Sequence, residues 1–458
     1  MARCGRSLGV HRWKVRRGKS VTAGLLIAAP ASGSGKTVIT LALLRHFRRA
    51  GRRVASIKTG PDYIDPAYHA VASGRPCLNL DGWAMRRETL AELAAQAAEG
   101  AELILGEGVM GLFDGAPDGA GSTAELAELT GWPVVLVVDA GGMAASAAAL
   151  LHGFASYRPG VRLAAVIFNR IGGEGHARLL REACEPLEIP VLGAVPRLDA
   201  LALPDRHLGL VQAAEHPDLE AFLDNAAGLV AGHLDTDALA RLARPAGLAA
   251  ADPGPAVPPL GQRIAVARDT AFAFAYPFVL DGWRRAGAEI SCFSPLGDEG
   301  PDPAADAVYL PGGYPELHAG RLSAGGRFLD GLRAAAAGGA AVYGECGGYM
   351  VLGNGLVDGD GRRHQMAGLL PLETSFAAPR LALGYRAAAL TADGPLGPAG
   401  AAYRGHEFHF ARVLQEEAGA PLFHVRDARG LSIGGAGLRA GAVMGSFLHL
   451  VDRASSAG

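Results

Sequence analysis

The sequence has few cysteines and almost no net charge for its length. Only 5 of its 458 residues are cysteine, and they stand far apart, with no pair at zinc-ligand or C-x-x-C spacing: Cys4, Cys77, Cys184, Cys292 and Cys346. An odd number of scattered thiols is typical of a reducing compartment, so we expect a cytoplasmic protein without a disulfide framework. The formal net charge of -2 provides no basic field for a nucleic-acid backbone, so no nucleic-acid partner is expected.

Long uninterrupted apolar runs are also missing. The longest candidate, VVLVVDAGGMAASAAALL, is interrupted by Asp139 and then by glycines, which favours a buried strand, a turn and an Ala-rich helix over a membrane span. Residues 1–20 are basic but lack the apolar centre of a signal peptide, so we interpret them as an N-terminal extension. We expect no membrane partner, and a homo-oligomer is compatible with the sequence.

The chain instead alternates short apolar strands with longer helical segments. The segments GLLIAAP, RRVASIK, AELILGEG, WPVVLVVDA and LAAVIFNR predict buried strands of a parallel sheet. A stretch rich in Pro, Gly and Ala follows, and the alternation restarts with RIAVA, AEISCFSP and DAVYLPGG. We therefore predict a doubly wound, mostly parallel α/β domain over 21–242, a linker over 243–260 and a second α/β domain over 261–453.

The first predicted strand runs into APASGSGKT, residues 29–37, which has the form of a phosphate-binding loop. Its small residues allow backbone N–H groups to converge on phosphate oxygens, and the helix that follows adds its positive dipole end. The general pattern has glycine at position 30, where this chain has Pro30. We predict a nucleotide site formed by Ser32, Gly33, Ser34, Gly35, Lys36 and Thr37, with Lys36 on the terminal phosphates and Thr37 on Mg²⁺.

Acidic residues follow two successive predicted strands. Asp62 and Asp65 lie in KTGPDYIDPAYH, and Glu107 and Asp114 lie in GEGVMGLFDG. Ligands gather at the carboxyl ends of the strands in such sheets, and a Mg²⁺ ion that bridges phosphates needs hard oxygen ligands there. The alternative is turn chemistry, because Asp beside Gly or Pro often only shapes a loop.

The segment AVYGECGGYMVLG, residues 341–353, places a cysteine between a predicted strand and a predicted helix. A nucleophile on such a turn projects from the sheet, and we expect the helix N-terminus to lower the pKa of the Cys346 thiol. LPGGYPELH could supply backbone N–H donors near Gly313 for an oxyanion. Free cysteine is more often a small buried hydrophobe, which is the alternative interpretation of Cys346.

Four histidines are candidates for the base that would activate this cysteine: His318, His406, His409 and His449. The segment GHEFHF is predicted to be a strand that carries both of its histidines on one face. The segment GAVMGSFLHL predicts a strand near the C-terminus that ends close to His449.

These segments resemble a known family. YGECGGYMVLG, LPGGYPELH and GSFLHL are similar to the cysteine elbow, oxyanion turn and histidine strand of class I glutamine amidotransferase domains, which have a flavodoxin-like fold. APASGSGKT, GPDYIDPAYH, NLDGWAM and GEGVMGLFDG resemble the synthetase half of the cobyrinate and hydrogenobyrinate a,c-diamide synthases. The resemblance covers about residues 22–453, and the motifs occur in the same order as in the family. Pro30 agrees with the phosphate loop of this family.

The resemblance implies an ATP- and glutamine-dependent ligase that amidates the a and c side-chain carboxylates of a corrin precursor in cobalamin biosynthesis. It implies that Cys346 and His449 release ammonia, with oxyanion N–H groups from Gly313 and Gly347. It gives Asn169 the adenine-reading position and ties the motif acids and their neighbours to substrate or phosphorylated intermediate: Asp62, Tyr63, Ile64, Asp65, Glu107 and Asp114. Thr37, Asp62 and Glu107 would hold Mg²⁺. Many class I domains have Glu two places after the histidine, where this chain has Val451.

Three other functions are alternatives to this one. Partition and metal-insertion ATPases share the phosphate-loop sheet but carry no cysteine-elbow domain. Cobyric acid synthase shares both domain types and amidates other side chains; GPDYIDP and NLDGWAM favour the a,c-specific enzyme. A nucleotide-binding regulator with an inactive amidotransferase domain would not need the intact Cys346, His449, Lys36 and Thr37. Between substrates, the Ala-, Gly- and Arg-rich composition favours metal-free hydrogenobyrinate over cobyrinate.

Overall fold

A computed structural model describes residues 22–206, 209–249, 251–416 and 420–455. The predicted extension, residues 1–20, lies outside the described residues. The helices are α1 Lys36–Arg49, α2 Asp65–Ser73, α3 Arg87–Ala98, α4 Thr123–Thr130, α5 Ser146–Ser156, α6 Glu174–Cys184, α7 Leu219–Ala231, α8 Thr236–Leu242, α9 Pro277–Arg285, α10 Ala319–Ala324, α11 Gly326–Ala337 and α12 Gly347–Leu352.

The N-terminal half is built on a sheet with the order β3-β2-β4-β1-β5-β6-β7, in which all neighbouring strands are parallel. Its strands are β1 Ala23–Ala28, β2 Val54–Thr59, β3 Cys77–Leu80, β4 Leu103–Glu107, β5 Val134–Asp139, β6 Leu163–Ile171 and β7 Val191–Pro196. The short strands β8 Asp205–Arg206 and β9 Gly209–Leu210 pair with each other, and β10 Arg244–Pro245 runs antiparallel to the start of β1. Helices cover both faces of the sheet, which explains why its strands are apolar without alternation.

The C-terminal half begins with a second, mostly parallel sheet of order β12-β11-β13-β14-β24-β23. Its strands are β11 Arg263–Ala267, β12 Glu289–Phe293, β13 Ala307–Leu310, β14 Ala341–Glu345, β23 Leu438–Ala440 and β24 Val443–Ser446. Only the edge strand β23 runs antiparallel to its neighbour. The predicted strands of this domain are confirmed, and the order β12-β11-β13-β14 is that of a flavodoxin-like sheet.

Two further sheets of the C-terminal half have no counterpart in the sequence prediction apart from GHEFHF and the end of GAVMGSFLHL. One contains β15 Gly355–Val357, β16 Arg363–Gln365, β17 Leu372–Ser375 and β20 Arg412–Glu416. The other is antiparallel and contains β18 Ala382–Leu390, β19 Ala402–His409, β21 Phe423–Asp427, β22 Ser432–Ala436 and β25 Leu448–Arg453. The single strand predicted for GAVMGSFLHL is divided between β24 of the parallel sheet and β25 of this further sheet, and β25 continues past His449 to Arg453. β25 carries His449 and pairs with β19, so His449 lies opposite His406.

The expectation that His406 and His409 share one face of β19 was wrong. The two residues are three positions apart, and side chains of a strand alternate between its faces, so they point to opposite sides. The His406 ring stacks on that of His449, with centroids 4.9 Å apart, whereas the His409 ring stacks on Phe447 at 4.0 Å.

The two halves touch through side chains within and just after the segment NLDGWAM, residues 79–85. Arg86 forms an ion pair of 2.8 Å with the fully buried Asp452, and the hydroxyl of Tyr385 donates to Asp81 at 3.1 Å. The Arg404 guanidinium lies over the Trp83 ring at 4.9 Å from its centroid. No helix in the described part of the chain combines the length and the apolar character needed to cross a bilayer.

Two candidate active sites and the contact between them

The phosphate loop joins β1 to α1 in the predicted way. Gly33 and Gly35 have φ of +81° and +89°, and α1 begins at Lys36. A Cβ at Gly35 would lie 2.2 Å from Nδ2 of Asn169, so only glycine fits at this position. The same Nδ2 donates to the carbonyl oxygen of Ser34 at 3.0 Å. Asn169, near the end of β6, is therefore in direct contact with the loop.

A buried charged cluster lies beside this loop, at the carboxyl ends of β2 and β4. The Lys58 ammonium donates to Asp65 at 2.5 Å and to Glu107 at 2.8 Å. Glu107 also accepts from the Thr37 hydroxyl at 2.6 Å and pairs with Nε2 of His69 at 2.6 Å. The structure thus brings together Thr37, Asp65 and Glu107, as expected for residues at the carboxyl ends of parallel strands. Lys58 and His69 are further members of this cluster.

Electrostatics decide which members of the cluster are charged. Burial lowers the pKa of Lys58, but the carboxylates of Asp65 and Glu107 more than offset this, so its pKa is raised. Burial raises the pKa of Glu107, but Lys58 and His69 outweigh it and hold the pKa well below its usual range. Burial and the charge of Asp62 raise the pKa of Asp65 in spite of Lys58. Lys58 and Glu107 are therefore ionised at neutral pH, and Asp65 is the acid that takes up a proton most readily.

His69 is a charged partner of this cluster. Burial lowers the pKa of its imidazole, but the Cys77 sulfur and the Glu107 carboxylate offset burial and raise it to about 10. A protonated His69 helps to compensate the buried charge of Glu107.

Asp62 and Asp114 also order turns, which was the alternative interpretation of the predicted acidic residues. Oδ1 of Asp62 accepts the N–H groups of Ile64 and Asp65 at 2.8 and 3.1 Å and so orders the start of α2. Its other oxygen lies 3.8 Å from the Lys58 ammonium, at the edge of the cluster. Asp114 is exposed and accepts the N–H of Gly111 at 2.9 Å, in a loop that packs against the carbonyl of Pro30.

The side chains beside the phosphate loop suit a magnesium ion that is bound mainly by nucleotide. In the described ranges, no three His, Cys, Asp or Glu side chains are arranged to hold a metal ion by themselves. The Thr37 hydroxyl and the Glu107 carboxylate, which lie within 2.6 Å of each other, are hard oxygen donors, and Asp62 is a third nearby. Mg²⁺ is commonly held by one or two carboxylates, with phosphates and water completing its shell.

The second site is built on Cys346, between β14 and α12. Its backbone has φ +45° and ψ −102°, a conformation that non-glycine residues rarely adopt and that marks a nucleophile elbow. The Cys346 N–H donates to the carbonyl of Ser446 at 2.8 Å, which fixes the turn against β24. A Cβ at Gly348 would lie 2.0 Å from the carbonyl oxygen of Leu310, so the turn can approach β13 only with glycine there.

His449 is the candidate base that the structure places at Cys346. A Cβ at Gly312 would lie 2.4 Å from Cε1 of His449 and 3.4 Å from Cβ of Cys346, so both residues lie close to Gly312 and any side chain at that position would collide with His449. The N–H of Gly313 lies beside Gly347, since a Cβ on Gly347 would be 3.0 Å from that nitrogen. His318 ends a 3-10 turn, Pro315–His318, and His409 pairs with Glu407 at 3.0 Å.

Both members of this pair are neutral. Burial, reinforced by Glu316, raises the pKa of the Cys346 thiol, although the Gly347 N–H opposes it. The expected lowering by the helix N-terminus is therefore outweighed, because α12 is short and the thiol is buried. Burial, together with His406 and His409, lowers the pKa of His449. A neutral imidazole beside a neutral thiol can accept its proton during attack on a substrate.

The far side of the His449 ring meets the other half of the molecule. Its Nδ1 lies 3.1 Å from the Tyr63 hydroxyl and 3.8 Å from a carboxylate oxygen of Glu345. Val451 occupies the position where many class I domains have glutamate. It is buried, and its side chain has no group that can accept a hydrogen bond from His449. Tyr63 was predicted as a substrate residue; the structure brings its hydroxyl to His449.

Sequence reasoning missed Lys58, His69, Glu345 and Tyr276 as members of the two sites. A lysine at the end of a buried parallel strand, as in VASIKTG, was a usable signal for Lys58, and the spacing of Asp65 and His69 on a helix was one for His69. Glu345 directly precedes the elbow cysteine. Nothing in the sequence pointed to Tyr276, whose ring stacks on that of Tyr63 with centroids 4.2 Å apart, because this contact depends on packing between the two halves.

Comparison with known proteins agrees with both halves of this description. Residues 25–211 match the CobQ/CobB/MinD/ParA nucleotide binding domain, and residues 263–456 match the CobB/CobQ-like glutamine amidotransferase domain. A solved glutamine amidotransferase structure aligns with 41% of this chain and 90% of that chain, at 18% identity and a TM-score of 0.27, a likeness too slight to inform the fold.

Similar proteins extend over nearly the whole chain. A hydrogenobyrinate a,c-diamide synthase of Brucella anthropi is 57% identical over 94% of this chain and 98% of its own length. Proteins of the same name from Rhizobium meliloti and Rhodobacter capsulatus are each 54% identical, over 94% and 93% of this chain and 99% and 98% of their own lengths. With a nucleotide-binding domain, an amidotransferase domain and this identity along its length, the chain belongs to the hydrogenobyrinate a,c-diamide synthase family of glutamine-dependent amidating ligases.

Proposed function

We propose that this enzyme amidates the a and c side-chain carboxylates of hydrogenobyrinate, with glutamine as the nitrogen donor and ATP as the energy source. One observation carries the proposal: this chain contains both a phosphate loop with its charged cluster and a Cys346–His449 pair. The chain is also 57% identical to an enzyme of that name. The sequence-based preference for the metal-free substrate agrees with the names of the relatives.

The N-terminal site would activate the carboxylate. Carboxylate is a poor acyl donor because its oxygen leaves poorly; attack of that oxygen on the γ-phosphorus of ATP releases ADP and forms an acyl phosphate. Lys36 would neutralise charge on the phosphoryl group in transfer. The loop residues Ser32, Gly33, Ser34 and Gly35 would bind phosphate, and Asn169, which touches the loop, would lie at the adenine side.

Magnesium would be held at the same site by Thr37, Asp62 and Glu107, and when bound it would screen the negative charge of the phosphates. Lys58 orients Glu107 and Asp65 through its ion pairs, and the substrate or phosphorylated intermediate would contact the loop residues Asp62, Tyr63, Ile64, Asp65, Glu107 and Asp114.

The C-terminal site would release ammonia from glutamine. The Cys346 sulfur attacks the side-chain carbonyl while His449 takes the thiol proton, and the oxyanion is bound by the N–H groups of Gly313 and Gly347. Collapse of this intermediate breaks the C–N bond, and His449 returns its proton to the departing ammonia. Water then hydrolyses the thioester to glutamate, and ammonia attacks the acyl phosphate and displaces phosphate.

The division of labour follows the proposed domains, 21–242 for activation, 243–260 as linker and 261–453 for ammonia release. Support comes from the two separate main sheets, the second of which starts with β11 at Arg263. The first sheet extends past 242 into the proposed linker, because β10, Arg244–Pro245, pairs with β1. A cytoplasmic location is proposed from the scattered cysteines; none of the four in the described ranges forms a disulfide.

The direct test incubates the enzyme with ATP, Mg²⁺ and glutamine, and with either hydrogenobyrinate or cobyrinate. Mass spectrometry of the products, followed by fragmentation to locate the amides, should show an a,c-diamide formed faster from hydrogenobyrinate. Amides on other side chains would instead support a cobyric acid synthase-like enzyme, and ATP binding without amidation would support a regulator.

A further inference from the structure

Tyr63 belongs to the loop of the nucleotide-binding half but ends in the other active site. It lies between Asp62 and Asp65, whose carboxylates face the Lys58 ammonium at 3.8 and 2.5 Å. Its half-buried ring stacks on Tyr276 and Phe274, with centroids 4.2 and 5.2 Å away, both from the C-terminal half. This stacking holds the Tyr63 hydroxyl 3.1 Å from Nδ1 of His449.

The tautomer of His449 sets the direction of this contact. A phenol oxygen can accept as well as donate, so the Tyr63 oxygen can accept from the Nδ1–H of His449. The neighbouring Tyr276 hydroxyl donates its one proton to the carbonyl of Pro61 at 3.1 Å and lies 2.9 Å from Nε2 of His406. With the proton on Nδ1, the Nε2 of His449 carries the lone pair that a base needs on the side of Gly312.

A competing acceptor for Nδ1–H is farther away and already occupied. Glu345 lies at 3.8 Å, and its two oxygens accept the hydroxyls of Tyr309 and Tyr343 at 2.8 and 3.0 Å and the N–H of Leu450 at 3.1 Å. In a Cys–His pair, the group that accepts from the second ring nitrogen fixes the tautomer and the orientation of the imidazole. In this chain the nearest such group is the phenol of Tyr63.

We propose that Tyr63 is the positioning residue of the glutaminase base: its hydroxyl, supplied by the nucleotide-binding half, holds His449 in the tautomer that can take the Cys346 proton. The inference rests on the proposed function of the Cys346–His449 pair. The inference also implies that movement of the loop that carries Tyr63 affects His449. Asp62 and Asp65 flank Tyr63 and belong to the phosphate-side cluster, so a shift of this loop at the first site displaces the acceptor at the second.

The test compares Tyr63→Phe with the parent enzyme and with Tyr385→Phe as a matched control. Phenylalanine keeps the ring that stacks on Tyr276 and removes only the hydroxyl. Tyr385 lies at the same interface, where its ring stacks on Trp83 and its hydroxyl bonds to Asp81, and it does not belong to either site. For each protein, kcat and KM for glutamine are measured as glutamate release and as diamide formation, and diamide formation is repeated with ammonium salt.

For Tyr63→Phe we expect kcat with glutamine to fall about 10- to 100-fold, since the lost hydrogen bond is one that strengthens when His449 becomes charged. KM for glutamine should stay within about twofold, because it does not depend on the Nδ1 contact. Since Tyr63 is also a proposed substrate contact, the ammonia-dependent rate can fall as well, but kcat for glutamate release should fall by a larger factor than that rate. The control Tyr385→Phe should stay within about twofold in every measurement. The retained ammonia-dependent rate also shows that the variant is folded.

Four outcomes would overturn the inference. They are an unchanged kcat with glutamine in Tyr63→Phe, a raised kcat, an equal fall with glutamine and ammonia, and an equal loss in Tyr385→Phe. A raised kcat would mean that Tyr63 restrains His449, and an equal fall would place Tyr63 at the corrin carboxylate. If the parent enzyme releases glutamate but amidates no corrin acid, the proposed synthesis fails, while glutamate release still decides the Tyr63 contact.

Discussion

The two candidate sites of this enzyme handle charge in opposite ways. Beside the phosphate loop, burial is overcome by pairing. Asp65 and Glu107 keep Lys58 charged, the Cys77 sulfur and Glu107 keep His69 charged, and Lys58 and His69 keep Glu107 ionised. At the elbow, burial prevails: the pKa of Cys346 is raised and that of His449 is lowered, so both are neutral. The first site contains permanent charges, and the second holds a proton that can be passed within a pair.

This difference corresponds to the chemistry of each half. Phosphoryl transfer concentrates negative charge on oxygens, and preorganised cations with fixed carboxylates stabilise it without reorganisation. Thiol attack on an amide instead needs a base that is unprotonated at neutral pH, which a buried imidazole is. We expect perturbations of the first site to abolish amidation from either nitrogen source, and perturbations of the second to affect only glutamine.

The largest effect is expected from Lys36→Ala. Amidation should fall on the order of 1000-fold with glutamine and with ammonium salt alike, because the lysine neutralises charge on the transferred phosphoryl group. Release of glutamate measured without corrin acid should persist, which serves as the control for folding. A variant with near-normal ATP-dependent turnover would show that this loop does not bind the reacting phosphates.

A smaller effect is expected from Glu107→Gln. Synthesis should fall about 100-fold with either nitrogen source, because Thr37 and Lys58 lose their common partner. The free energy of unfolding should also fall by about 3 kcal/mol, since Lys58 and His69 stay buried without a compensating charge. Urea denaturation measures the second effect. Equal loss of glutaminase activity in the folded variant would contradict the separation of the two sites.

The sequence identified the parts of each site that lie on strand ends and turns. Strands buried on both faces, the GSGKT loop and the cysteine elbow follow from local patterns, and the structure contains each of them where it was predicted. No helix was predicted at α2, although Pro66 stands in its first turn, where proline is favoured. Strands such as β20, RVLQE, are exposed on both faces and show no apolar alternation, so they carried no signal.

Residues whose roles depend on distant partners could not be predicted. Lys58 becomes part of the site only because β2 and β4 are neighbours, and Tyr63 meets His449, which is 386 positions away in the chain, only through the packing of the two halves. The expected low pKa of Cys346 failed for a related reason: burial of the thiol depends on tertiary packing, and it outweighed the local effect of a short helix.

The smallest effect concerns pH. Because burial keeps the pKa of His449 below its ordinary value, its imidazole stays unprotonated as the pH falls from 8 to 6, and kcat/KM for glutamate release should change less than about twofold. An exposed imidazole with a pKa of about 6.5 would lose about fourfold over the same interval. A loss of that size or greater in a pH–rate profile would show that the base at Cys346 is not a buried, depressed histidine.

The central claim is that Cys346 serves only to release ammonia, whereas the Lys58–Glu107 cluster activates the carboxylate independently of it. The most direct measurement is diamide formation by Cys346→Ala at matched glutamine and ammonium concentrations, at mildly alkaline pH where more free ammonia exists. The account predicts that the glutamine-dependent rate is abolished and that the ammonia-dependent rate stays near that of the parent enzyme. Retained activity with glutamine, or loss of both activities in a folded variant, would contradict it.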